Sequence, residues 1–144
     1  MKVYLDNCCF NRPFDDQSQI RIQLETKSKL YVQEEIKNGN IELVWSYILD
    51  YENSFNPFSE RKIIIKQWKN EAKQDISESK KVLEIANQLI LLGIKNKDAL
   101  HVACAVESKC NYFLTTDDSI LKKLEDYDKV TVLNPLNFIA NLNY

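Results

Sequence analysis

Four acidic residues stand where a carboxylate is either useful or costly. Asp6 follows the apolar run Lys2-Val3-Tyr4-Leu5, and Asp117 follows Tyr112-Phe113-Leu114-Thr115 closely. Glu52 ends the largely apolar stretch Tyr47-Ile48-Leu49-Asp50-Tyr51-Glu52, and Asp98 opens the apolar stretch 99–106. In an open parallel sheet, ligands collect beyond the carboxyl ends of the strands. Carboxylates carried to one such point repel, so either some are protonated or a cation holds them together. An all-oxygen set without His or Cys suits Mg²⁺ or Mn²⁺ better than zinc. Each acid also has a plainer reading. Asp117 and Asp118 could cap a helix, Asp98 could serve a helix dipole, Asp6 could be a turn residue, and Glu52 could lie on a solvated face. Arg12, Lys95 and Lys97 lie close in sequence to these acids and are candidates for phosphate contacts or for plain solvated surface.

The composition narrows the alternatives. At 144 residues and 16.9 kDa the chain is long enough for one domain with a single core. A formal net charge of −2 gives no global positive field, so a nucleic-acid partner would need a local basic patch. Two glycines, Gly39 and Gly93, cannot write a phosphate loop or a dinucleotide turn. A single histidine, His101, excludes sites needing two His ligands. The four cysteines, Cys8, Cys9, Cys104 and Cys110, contain no C-x-x-C pair and read as reduced, small hydrophobes. A zinc site from His101, Cys104, Cys110 and Cys8 matches no standard spacing. No apolar run approaches about 20 residues and the N-terminus lacks a signal-peptide core, so a cytoplasmic protein without a membrane span is expected.

The elements that must carry the acids alternate. Strands are expected at Lys2–Leu5, Ile41–Trp45, Tyr112–Thr115 and Val130–Leu133. Helices are expected from Gln17 to Lys37, from Ser46 to about Phe55, from about Ser59 to Lys73 and from about Ile76 to Leu92. Three more are expected at Asn96–Lys109, Asp118–Asp126 and Pro135–Leu142. The segment Asn11–Asp16 reads as a break through Pro13. Expected core faces are Ile20, Leu24, Tyr31 and Ile36; then Ile64, Ile65, Trp68 and Ala72; then Leu83, Ala86, Leu89 and Ile90. Such alternation with short apolar strands predicts one α/β domain, a parallel sheet of about four to five strands flanked by helices.

On these residues the chain resembles the PIN-domain ribonucleases, the fold used by VapC-type toxins. Val3-Tyr4-Leu5-Asp6 is similar to the family's first strand with its terminal Asp, and Ser46-x5-Glu52 to its Ser-led helix bearing a Glu. Lys97-Asp98-Ala99-Leu100-His101-Val102-Ala103-Cys104-Ala105 resembles the central D-A-x-x-x-A-x-A helix. Phe113-Leu114-Thr115-Thr116-Asp117 resembles the later strand with its T-x-D ending, and Val132-Leu133-Asn134-Pro135 the last strand and turn. The resemblance spans residues 1–144 as a single PIN-like domain.

It implies that Asp6, Glu52, Asp98 and Asp117 form a metal-binding catalytic cluster for Mg²⁺ or Mn²⁺, with Asp118 as the register alternative and Asp50 as the alternative to Glu52. Asn7, Thr115 and His101 would support that cluster from behind, and Arg12, Lys95 and Lys97 would meet the substrate. The implied activity is endoribonuclease cleavage of RNA leaving a 5′-phosphate, in a toxin with a cognate antitoxin. A homodimer is also implied, for which the apolar stretch Ile63–Trp68 could supply a surface or simply core. The chain departs from the family pattern where Cys8 replaces an Asn and Asn7 a hydroxyl residue. Those departures support a competing reading, a PIN-fold nucleic-acid or protein-binding module without turnover. A phosphoryl-accepting receiver domain fits poorly, because it needs paired acids after the first strand and a Lys before the late Pro, where Asp6-Asn7 and Asn134-Pro135 stand.

Overall fold

A computed structural model describes residues 1–142 of the chain. Five strands form one sheet: β1 (Lys2–Leu5), β2 (Glu42–Ser46), β3 (Gln74–Ile76), β4 (Tyr112–Leu114) and β5 (Thr131–Leu133). Their spatial order is β3-β2-β1-β4-β5, and every pairing is parallel. Parallel strands need crossover connections, and eight helices supply or flank them: α1 (Asn7–Asn11), α2 (Ile20–Lys37), α3 (Tyr47–Ser54), α4 (Ser59–Gln67), α5 (Lys80–Leu91), α6 (Asn96–Glu107), α7 (Asp118–Lys123) and α8 (Pro135–Asn141). Val3, Tyr4 and Leu5 alternate in direction yet all are fully buried, so both faces of the central strand are covered. Helix α6 packs over β2 and β4 with α5 against it, and α2 packs on α8.

This order places a switch point at β1. The chain leaves β1 for β2 on one side, while β4 joins β1 from the other, and a crevice opens above the β1 carboxyl end. Asp6 is the residue that stands there, and its backbone N–H continues the ladder to the Leu114 carbonyl at 2.9 Å.

Local rules account for most boundaries. Ser46 and Ser79 cap α3 and α5 through bonds to Leu49 N and Val82 N, and Asn134 caps α8, which has Pro135 at its start. Gly39 and Gly93 adopt φ of +80° and +94° just after α2 and α5, a left-handed turn that ends each helix.

Three features depart from the sequence reading. The segment after Asp6 winds into α1 before the 3₁₀ turn Arg12–Phe14, because the Asp6 carboxylate caps Asn7 N. Helix α4 ends at Gln67, and a 3₁₀ turn at Trp68–Glu71 leads into the unexpected strand β3. The run Gln74-Asp75-Ile76 lacks an apolar pattern because β3 is an edge strand, paired only with β2. Helical registers also shift. The buried face of α5 is Val82, Ile85, Ala86 and Leu89, while Leu83 and Ile90 are exposed. In the next helix back, α4, only Ile65 is buried; Ile64 is exposed, and Trp68 and Ala72, beyond the helix, pack partly against the core.

Helix α2 departs most. It turns Ile20 and Leu24 to solvent and buries Glu25, Thr26, Ser28, Lys29 and Gln33 beside Val32 and Ile36. Glu25 explains part of this: its carboxylate accepts from Arg21 Nε at 3.2 Å and from the Asn134 side-chain amide at the start of α8, and it is ion-paired with Arg12 Nε at 3.2 Å without a hydrogen bond. A buried carboxylate of this kind ties α2 to both the 3₁₀ turn and α8. Glu25→Ala is therefore expected to cost about 1–3 kcal/mol in urea unfolding, because it leaves the buried Asn134 amide without its acceptor. A loss within experimental error would mean the pairs contribute nothing to folding.

Candidate active site

Four elements deliver the acids to the crevice. Asp6 ends β1, Glu52 lies on α3, Asp98 in the first turn of α6, and Asp117 caps α7. Asp6 is buried, with Oδ1 accepting from Asn7 N at 2.8 Å. Its Oδ2 accepts from Thr115 Oγ1 at 2.8 Å and from the Cys8 thiol at 3.4 Å. The same Thr115 hydroxyl accepts from Asp117 N at 3.1 Å, so one side chain links the two strand-end acids. Asp117 Oδ1 accepts from Ser119 N at 2.9 Å and Ile120 N at 3.2 Å.

Glu52 is positioned by a buried relay. His101 is fully buried on α6, and its Nε2 hydrogen-bonds to Glu52 Oε1 while lying 4.0 Å from Asp6 Oδ1. Its Nδ1 lies 2.6 Å from the Tyr4 hydroxyl, which in turn lies 2.5 Å from Ser46 Oγ. These contacts join Ser46, Tyr4, His101 and Glu52 in one hydrogen-bonded chain in which both ring nitrogens of His101 are engaged. Asn7 Nδ2 reaches the other Glu52 oxygen at 3.3 Å. Burial pushes the Glu52 carboxyl up, but His101, then Lys97 and Asn7, outweigh it and hold it below its ordinary value. Burial and nearby negative charge raise the Tyr4 phenol well above its own.

Asp98 is the counterpart. It lies one turn before His101, and among the described residues no hydrogen bond or ion pair reaches its carboxylate. Burial first, then the charges of Asp6, Asp117 and Glu52, push it up to about 6 against a smaller opposing pull from His101. All three other acids thus act on Asp98, adding to the larger effect of burial. In atom type and charge the set fits a hard divalent cation. As placed, the side chains do not chelate one: among the described residues no three His, Cys, Asp or Glu groups converge closely enough to hold an ion.

The remaining candidates divide. Asp118 points away and is paired bidentately with Arg21 at 2.8 and 2.6 Å, which holds its carboxyl down and removes it as the register alternative. Asp50 is held outside the cluster by Trp45 Nε1 and Lys69 Nζ, both at 3.0 Å. Arg12 is committed to Glu25 and to Asp15, so its guanidinium is not free for a phosphate. Lys95 and Lys97 line an open cleft of about 530 Å³ with Glu52, Asn96 and Asp98. The sequence reading did not single out Tyr4 or Ser46 as site residues, since each reads as an ordinary strand or cap residue until the fold stacks β1 beside β2. All four cysteines are free.

No family model matches the chain, and no curated protein matches it. Among solved structures, a chain of VapBC2 from Rickettsia felis, a complex bound to a DNA fragment from its promoter, is similar in fold. The two share 16% identity and a TM-score of 0.57, over 93% of this chain and 98% of that one. At that identity the likeness establishes architecture: an α/β domain with an all-parallel five-stranded sheet, consistent with a PIN-like fold.

The field on Asp98 has a measurable consequence in metal-free protein. Its folded value, about 6, lies above the ordinary 3.8. Between those values the folded chain holds a proton that the unfolded chain releases, so this group's contribution to stability falls as pH rises. Asp98→Asn should therefore gain about 1 kcal/mol over the parent in urea unfolding at pH 8, allowing for solvent screening at a half-buried site. The gain should shrink towards zero at pH 4. A gain that ignores pH would place Asp98 outside the field of the other acids.

Proposed function

We propose that the chain is a metal-dependent endoribonuclease of the VapC kind, the toxin of a toxin–antitoxin pair. The observation that carries the reading is the gathering of Asp6, Glu52 and Asp117 near enough to Asp98 to add to the effect of burial in raising it to about 6, beside a cleft that also presents Lys95 and Lys97. Such a concentration of acids disfavours the empty site and favours a divalent cation. When bound, Mg²⁺ or Mn²⁺ would supply a polarised phosphate and a water acidic enough to attack it.

The chain's own residues do the rest. Asp6 and Asp98 are the primary candidates to hold the ion. Thr115 fixes Asp6, while His101 and Asn7 fix Glu52, so the donors are restrained before the ion arrives. Lys95 and Lys97 flank the cleft where the phosphate backbone would lie. His101 has both ring nitrogens engaged and is fully buried, which suits positioning of Glu52 and not proton transfer to substrate.

An antitoxin partner is proposed from the fold's likeness to a chain of a VapBC complex, and a homodimer from the exposed side chains of Ile63 and Ile64 on α4. A second reading, an inactive binding module, draws on the lack of three convergent ligands among the described residues and on Cys8 bonded within the site. Among those residues, no helix is long and apolar enough to cross a membrane.

Incubation of short RNAs with Mn²⁺ or Mg²⁺ separates the two readings. Cleavage that is abolished by chelator and falls by about a hundredfold or more in Asp6→Asn and Asp98→Asn is expected. Metal-independent RNA binding with no cleavage would instead establish the inactive module. Mn²⁺ should also raise the melting temperature of the parent chain, and Asp98→Asn should largely remove that rise.

A further inference from the structure

Beyond Glu52, on the side away from Lys95 and Lys97, the cleft continues into a second hollow of about 250 Å³. Its polar lining is Glu52, Arg61, Asn7, Asn11 and Asn56, the asparagines linked in part by Asn56 Nδ2 donating to Asn11 Oδ1 at 3.3 Å. Its apolar lining includes Phe55 and Phe58, from the short connection between α3 and α4. These rings are 67% and 53% exposed, and Tyr51, edge-on to Phe55 at 5.0 Å, is 49% exposed. Aromatic side chains clustered in water bring little folding energy and mark a surface that meets something.

Two cations flank the rings. The Arg61 guanidinium lies 4.1 Å from the Phe58 ring centre and is anchored by the Phe14 carbonyl at 2.9 Å. Lys97 Nζ lies 5.7 Å from the Tyr51 ring centre and links this surface to the acid cleft. On a chain of net charge −2, Lys97 beside Tyr51 and Arg61 beside Phe58 give this ring cluster local positive charge, with the Glu52 carboxylate lining the same hollow. Single strands are bound by this combination: the cations follow phosphates and the rings take bases. Duplex bases are already stacked and could not reach the rings. The amides of the hollow are bonded to one another and to Glu52, so the rings and the flanking cations are what it offers a ligand, the pairing that suits a base and its phosphate.

We propose that Phe55 and Phe58 form a stacking platform for an unpaired base of single-stranded RNA, adjacent to the acid cluster across Glu52. The inference deepens the nuclease reading and rests on it for the identity of the strand, but the platform can be tested separately from cleavage.

The probes are a fluorescently labelled single-stranded RNA, the same strand made abasic, and the matched duplex, all titrated in chelator against the full chain. Phe55→Ala and Phe58→Ala should each weaken single-strand binding by about 5- to 100-fold. Phe55→Tyr and Phe58→Tyr should retain it, and neither alanine variant should affect the abasic strand or the duplex. Unchanged single-strand affinity in both alanine variants overturns the platform, as does an equal loss with the abasic strand. Selective uptake of an apolar helical peptide in place of RNA would assign the hollow to a protein partner and overturn it too. If the parent fails to cleave with Mn²⁺ yet binding still depends on the rings, the platform stands and the nuclease reading falls. If cleavage proceeds while binding ignores the rings, the reverse holds.

Discussion

Repulsion among carboxylates is the constraint on which this molecule turns. Four acids from distant parts of the chain sit around one crevice, and the fold tolerates them by giving three of them partners. Asp6 has Thr115 and the Asn7 amide, Asp117 has the first turn of α7, and Glu52 has His101 and Asn7. Asp98 has none of these, and burial together with the charges of the other three raises its proton affinity. A wholly structural cluster would gain from neutralising that residue. The imbalance leaves Asp98 as a point where the fold gives up some stability.

The relay from Ser46 through Tyr4 and His101 to Glu52 shows how the scaffold maintains this arrangement. Three of its members are fully buried on β1, β2 and α6, so the hydrogen-bond geometry is fixed by core packing. Tyr4 also stacks on Phe113 of β4 with ring centres 5.4 Å apart, which couples the relay to the neighbouring strand. Small residues on α6, among them Ala99, Ala103 and Ala105, allow that helix to lie close over the sheet and bring His101 within reach. Glu25 does comparable work at a distance from the crevice, holding Arg12 and Arg21 and thereby removing two nearby cations from any role with substrate. The cations left facing the cleft are those on the α6 side, Lys95 and Lys97.

Much of this was legible in the residues. Apolar runs gave four of the five strands, Ser46 and the two glycines marked helix ends, and the acids at strand ends pointed to the crevice. What failed did so for identifiable reasons. β3 is an edge strand without an apolar code, and α1 is initiated by a capping carboxylate over five residues, Asn7–Asn11, too few for an apolar period to show. The inward face of α2 is polar because Glu25 is compensated by arginines that only the folded chain brings near, so no apolar periodicity exists to be read.

The sequence by itself determined the order of elements, the burial of β1 and α6, and the placing of acids at the ends of β1 and β4, because these depend on local apolar pattern and on residues adjacent in the chain. Only the tertiary structure decided which acids face one another. Asp50 against Glu52, and Asp117 against Asp118, are near neighbours in sequence, and they separate only because Trp45, Lys69 and Arg21 draw one of each pair away. Likewise, Tyr4 and Ser46 become part of the site only when β1 and β2 lie side by side, since a hydrogen bond across 42 residues of chain has no local signature.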